Sequence, residues 1–208
     1  RLRRQLEIEG YVALDHEAVN TRFGKRPVFD PAVRDGLDRL ERGARPVFYL
    51  ADDGLTDWTE LCIRRADEVV LTTCGDAPRA ELTATERLVE EVHPQSACRL
   101  VRLHPRRRGV VEGTAAWLAR TPVFLHHHLS LEDNADIEAL IRFLTGRAVG
   151  FVAGGGGGYG PAHVGIYRAF REQGGSFDIF MSTSVGAAML TGFAFLGEHD
   201  TLTAGTHD

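Results

Sequence analysis

Two short stretches late in the chain carry residue types whose spacing suits chemistry. The first is Gly154-Gly155-Gly156-Gly157-Gly158-Tyr159-Gly160, which follows the apolar run Val149-Gly150-Phe151-Val152-Ala153 and leads into Pro161. Ala162, Val164, Ile166, Ala169 and Phe170 continue a helix pattern, and proline suits a first helical turn, where an N–H would be unpaired anyway. The order is therefore strand, glycine loop, helix N-terminus. Glycines let several N–H groups converge on one point, and the helix dipole adds partial positive charge there. That makes an anion site, and two kinds of anion suit it. One is a stable phosphate, since Gly155-x-Gly157-x-x-Gly160 matches the dinucleotide-binding fingerprint. The other is the transient oxyanion of acyl transfer.

The second stretch separates them. A short strand pattern, Phe177-Asp178-Ile179-Phe180, runs into Met181-Ser182-Thr183-Ser184-Val185-Gly186 and then a small-residue helix through Ala187, Ala188 and Met189. Strand, sharp turn and helix with serine at the apex is the geometry of a nucleophile elbow. The backbone there is crowded, so small residues are needed two before and two after the serine. Those positions hold Ser182 and Gly186. A dinucleotide site would instead need an acidic residue closing the second strand. Asp178 stands near that strand's start, and the oxyanion reading is preferred.

These residues need a scaffold, and the pattern upstream supplies one. Strands are predicted over 11–14, 46–51, 68–73, 98–104, 122–126 and 148–153. Helices are predicted over 1–9, 31–42, 57–66, 79–92, 114–119, 134–145 and 161–173, with Gly146 closing the helix over 134–145. Strands alternating with helices imply an α/β fold with a doubly wound parallel sheet, residues 45–126 forming one such sheet. The strands over 148–153 and 177–181 are expected to pair in parallel as a second sheet.

Composition narrows the partners. The 208 residues carry a net charge of −5, with 43% hydrophobic and 25% charged residues, so no nucleic acid is expected as partner. Arg106-Arg107-Arg108, between Pro105 and Gly109, reads as a solvated turn. Cys62, Cys74 and Cys98 form no CxxC pair and suit reduced thiols in a cytoplasmic setting. The N-terminal stretch lacks the pattern of a signal peptide, and no run reaches about 18 apolar residues. Contact with a membrane is therefore expected to be peripheral. His126-His127-His128 alternate faces on a strand, so at most two can share an ion, and neither a metal nor another cofactor is expected. These histidines read as a surface or interdomain contact. Cys62 and Cys98 read as core, Trp58 and Trp117 as packing anchors, and His163 as a tether for the glycine loop.

Residues 154–163 followed by 178–186 resemble the patatin-like phospholipase family, whose signature is a GGGxRG-type loop and a GxSxG elbow. Further words are similar to its neuropathy target esterase-like branch: Asp57-Trp58-Thr59, Cys62-Ile63-Arg64-Arg65-Ala66-Asp67, Leu103-His104-Pro105, Trp117-Leu118-Ala119-Arg120, His126-His127-His128, and Phe143 through Gly150. The resemblance implies a nucleotide-binding-like α/β region over 1–130, a connecting helix over 131–147, and the first part of a patatin-like α/β hydrolase domain over 148–208. It implies a cyclic-nucleotide-binding module further upstream in the whole protein. It further implies that Ser184 is the nucleophile, that the N–H groups of Gly155, Gly156, Gly157, Gly158 and Gly160 hold the oxyanion, and that phospholipid or lysophospholipid at a membrane surface is the substrate. Such enzymes use a serine–aspartate dyad, the aspartate coming from a later Asp-Gly or Asp-Ala motif.

The chain departs from the pattern at three points. Tyr159 stands where the loop arginine is expected, and Ser182 replaces the elbow glycine. No Asp-Gly or Asp-Ala follows Ser184, because Asp200 precedes Thr201 and Asp208 is the last residue. The dyad aspartate is accordingly expected outside this chain, which reads as a fragment or a truncated, divergent member that begins inside the α/β region. The alternative is a non-catalytic patatin-like scaffold or regulatory module. Nucleotide binding by residues 1–129 is a third reading, which lacks a phosphate loop.

Overall fold

Each apolar run of the first 140 residues is too short to bury itself, and each finds a parallel neighbour. The computed structural model describes residues 1–43 and 45–192. Strand β1 (Val12–Leu14) pairs with β2 (Val47–Tyr49), Val12 opposite Val47. Strands β3 (Val69–Cys74), β4 (Cys98–His104) and β5 (Leu125–Ser130) form a second parallel sheet in that order. Helix α1 (Leu2–Ile8) precedes β1, and α2 (His16–Phe23), α3 (Pro31–Glu41), α4 (Asp57–Arg65), α5 (Ala84–Val92) and α6 (Thr114–Arg120) lie between the strands in sequence. The architecture is the parallel α/β class that the alternation implies.

The single sheet expected over 45–126 is divided. Residues 47–49 find their ladder in β1, and the Leu50 N–H extends it to the Leu14 carbonyl at 2.8 Å. The Leu50 carbonyl is taken by the Trp58 indole N–H at 2.9 Å. Trp58 is fully buried with Leu14, Val33, Leu37 and Leu61, the core of this part. Two further boundaries move. Helix α5 starts at Ala84 because Thr83 and Glu86 form a capping box. Strand β5 starts at Leu125 because Pro122 has no N–H and the Phe124 N–H turns to the Gln95 and Cys98 carbonyls. Helix α2 was not expected; the Asp15 carboxylate nucleates it by accepting the Ala18 N–H at 2.8 Å.

The chain divides into two compact units, Arg1–Leu140 and the residues from Ile141 onward, with the division inside helix α7 (Asn134–Leu144). In the second unit β6 (Gly150–Ala153) pairs in parallel with β7 (Ile179–Ser182), as expected. Helix α8 (Gly160–Glu172) connects them, and α9 follows β7, its described part spanning 185–192. Phe151, Ala153 and Leu190 form the core with Tyr167 and Phe177 against them. Arg142 donates to both oxygens of Asp178, at 2.9 and 2.6 Å, and the Val149 N–H donates at 3.0 Å. Burial pushes the Asp178 carboxyl up, but Arg142 and the Val149 N–H outweigh it and hold it below its ordinary value. No helix among the described residues is long and apolar enough to cross a membrane.

Candidate active site

Parallel pairing brings the two chemical stretches to the same edge. Ala153 registers with Ser182, so both chains leave the sheet side by side at the carboxyl ends of their strands. Open parallel sheets place their ligands at that edge. The Thr183 N–H adds one more ladder bond to the Ala153 carbonyl at 3.1 Å, after which the chain turns sharply. Ser184 holds φ at 53°, and among the described residues it alone has positive φ without being glycine. The turn closes with Gly186 N–H to Thr183 O at 3.1 Å and Ala187 N–H to Ser184 O at 2.9 Å, and α9 begins.

Two glycines are dictated by contact. A Cβ on Gly186 would lie 2.3 Å from the Ala153 carbonyl oxygen and 2.7 Å from that of Gly154, backbone that cannot move aside. A Cβ on Gly160 would lie 2.5 Å from Val185 Cγ2, so the start of α8 packs directly on the residue after Ser184. Gly155 is the loop glycine that lies against the serine: a Cβ there would be 3.3 Å from Ser184 Cβ and 3.8 Å from its Oγ. A Cβ stands about 2.5 Å from its own N, so the hydroxyl is within about 6.3 Å of the Gly155 nitrogen. One carbonyl carbon and oxygen, with contacts of about 3 Å on each side, spans that gap.

The other predicted positions lie differently. Gly157 takes φ 53° and opens a 3-10 turn, Gly157–Tyr159. A Cβ on Gly156 would meet Tyr159, and one on Gly158 would meet nothing within 4 Å, so neither position abuts Ser184. Tyr159 is 82% exposed, where the family pattern has arginine. Ser182 ends β7 and is exposed, as are Ser184 and residues 154–159. His163, on the first turn of α8, hydrogen-bonds the Gly154 carbonyl through Nε2 at 2.9 Å. Among the described residues none hydrogen-bonds the Ser184 hydroxyl. Asp178 precedes β7, at the opposite end of the strand from Ser184, and Asp200 and Asp208 lie outside the described residues. The part played by the Gly154 carbonyl was not legible in the sequence, since five consecutive glycines do not distinguish themselves.

The residues discounted by sequence belong to the first unit. His126-His127-His128 lie on β5 and pair with β4; His126 is exposed, and His127 and His128 are half-buried. His128 Nδ1 is 3.0 Å from His104 Nε2, and the rings stack at 5.3 Å. Burial pushes His127 and His128 down to about 4. No group of three or more potential metal ligands occurs among the described residues. Cys62 and Cys98 are buried, and burial raises both thiols, Cys62 to about 12. Arg107 and Arg108 of the basic turn pair with Asp133, Asp136 and Asp76 at 2.6–2.9 Å. Where a phosphate loop would follow β1, the chain reads Asp15-His16-Glu17. The adjoining cavity of about 680 Å³ is lined by these three residues with Asn20, Thr21, Lys25 and Asp52, a surplus of negative charge unsuited to phosphate.

Comparison with known proteins places the chain. The description "Neuropathy Target Esterase family P-loop like domain" matches residues 1–147. Patatin-like phospholipase domain-containing protein 7 of Rattus norvegicus is 34% identical over 184 residues, covering 76% of this chain and 14% of the relative. The Mus musculus protein of the same name gives the same identity and coverage. Neuropathy target esterase sws of Drosophila grimshawi is 32% identical over 208 aligned residues, covering 85% of this chain and 14% of the relative. The chain thus spans a small part of these relatives. No solved structure gives a significant match. With that family description matched over residues 1–147 and these relatives aligned over most of its length, the chain belongs to the neuropathy target esterase family.

Proposed function

We propose that this chain carries the nucleophile and oxyanion loop of a serine esterase that cleaves the ester bonds of phospholipids or lysophospholipids. The observation that carries the reading is Ser184 in a left-handed turn at the carboxyl edge of the sheet, with Gly155 packed against its Cβ and Oγ. In this reading Ser184 Oγ bonds to the acyl carbon while its proton passes to the dyad aspartate, supplied from outside this chain. The carbonyl electron pair moves onto oxygen, to which N–H groups of the 155–160 loop, Gly155 foremost, donate hydrogen bonds. Collapse expels the alcohol with that proton and leaves an acyl-serine, which water hydrolyses by the same steps.

The proposal keeps 148–208 as the first part of a patatin-like domain, 131–147 as a connecting helix, and 1–130 as a nucleotide-binding-like region. A cyclic-nucleotide-binding module further upstream and a cytoplasmic, peripheral position on the membrane belong to the same reading. The second reading, a non-catalytic scaffold, rests on Tyr159, which leaves the loop without the fixed positive charge of the family pattern.

Labelling with a fluorophosphonate and turnover of a chromogenic ester separate the two. The 208-residue chain should show little hydrolysis, because a serine without a base is a weak nucleophile. A longer polypeptide that includes an Asp-Gly motif should hydrolyse short-chain esters and lysophospholipids, and Ser184→Ala should abolish this. Strong Ser184-dependent turnover by the short chain would mean that its base lies within the 208 residues. A folded longer polypeptide that stays inert would establish the scaffold.

A further inference from the structure

The Gly154 carbonyl is confined from two sides. His163 Nε2 approaches it at 2.9 Å, and a carbonyl has no proton to give, so the imidazole donates through Nε2–H. From the other side, Gly186 packs so closely that a Cβ there would stand 2.7 Å from the same oxygen. His163 is itself held, since its ring meets the buried Phe151 edge-on at 6.4 Å and 88°. The bond therefore ties the first turn of α8 to the chain leaving β6.

That tie bears on Gly155. The Gly154 C=O and the Gly155 N–H belong to one rigid plane and point in opposite directions, so fixing the carbonyl fixes the N–H. A run of glycines has no side chains to set its own peptide orientations. Gly155 is also the loop residue that lies against Ser184 Oγ. We propose that His163 is a positioning residue, which orients the Gly154–Gly155 peptide so that the Gly155 N–H meets the oxyanion formed by Ser184. This rests on the reading of Ser184 as nucleophile given above.

His163→Phe keeps a ring against Phe151 and removes the donor, whereas His163→Gln keeps a donor on a flexible chain. In the 208-residue chain, the backbone order parameter of Gly155, from NMR relaxation, should fall from about 0.85 to below about 0.6 in the phenylalanine variant and return towards wild type in the glutamine variant. In the longer polypeptide carrying the Asp-Gly motif, with para-nitrophenyl butyrate as probe, His163→Phe should lower kcat about 10–100-fold and leave KM within about twofold. His163→Gln should recover most of that loss. An unchanged order parameter at Gly155, unchanged kcat, or a loss that glutamine does not rescue would each overturn the proposal. Should His163→Phe fail to fold, His163→Asn, whose amide is too short to reach, replaces it in both measurements. Full turnover by Ser184→Ala would instead sink the nucleophile reading, while the Gly155 order parameter still decides whether His163 orients the loop.

Discussion

A left-handed backbone on a residue with a Cβ costs roughly 1–2 kcal/mol, and Ser184 holds φ at 53°. Glycine would remove most of that cost, offset in part by the greater freedom of glycine in the unfolded chain. Ser184→Gly should therefore be more stable than Ser184→Ala by about 1 kcal/mol, because both lack the hydroxyl and differ only in tolerance of the turn. Urea unfolding of the two variants checks this. Equal midpoints would mean that the turn relaxes when the hydroxyl is lost. Under the proposed nucleophile reading, this cost is what the exposed position of Ser184 at the turn requires.

Among the elements, α5 shows how much rests on one cap. The Glu86 N–H donates to Thr83 Oγ1 at 3.2 Å, and the Thr83 N–H donates back to Glu86 at 2.7 Å. The same carboxylate receives Arg120, at the end of α6, through both Nη atoms at 2.8 and 2.9 Å. Arg120, first among the causes, and the Thr83 groups hold Glu86 down at about 2 against the opposing effect of burial. Thr83→Ala should cost about 1 kcal/mol, the loss of a helix cap. Glu86→Gln should cost about 2 kcal/mol, since it also strips a little-exposed guanidinium of its charged partner. Chemical denaturation of the two variants orders them, and a larger loss for Thr83→Ala would show that the cap outweighs the ion pair.

At the scale of the whole molecule, the histidines of β5 set a pH dependence. Burial, then Arg99 and His126, lower His127; burial, then His126, His104 and Arg102, lower His128, and both reach about 4. The unfolded chain protonates them near 6.5, so it binds more protons than the folded chain as pH falls. Stability should be fully present above about 6.5, decline between about 6.5 and 4, and gain no further loss from these groups below that. Glu86 acts in a lower window, its contribution being present above about 4.5 and lost towards 2. Urea midpoints measured from pH 7 to 4.5 should fall, and His127→Gln with His128→Gln should flatten the fall. An unchanged slope in the double variant would place the titrating groups elsewhere.

The sequence by itself determined the class of fold and where its candidate site lies. Period and composition mark strands such as β4, apolar and buried along most of its length, and helix ends such as Gly146 after α7, because these are local effects of side-chain burial and orphan backbone groups. The order strand, glycine loop, helix, strand, serine turn is likewise local, and it singled out Ser184 and Gly186. Pairing is not local. Whether residues 47–49 join β1 or the sheet of β3–β5 depends on which partner presents its ladder, and only the tertiary structure decided for β1. The same holds for His127 and His128, which β5 half-buries beside β4 as no spacing reveals. Among five identical glycines, the sequence offers no ground for choosing. Parallel register brought Gly155 to Ser184 and turned the Gly154 carbonyl to His163, because contact between distant segments is set by packing rather than by neighbours in the chain.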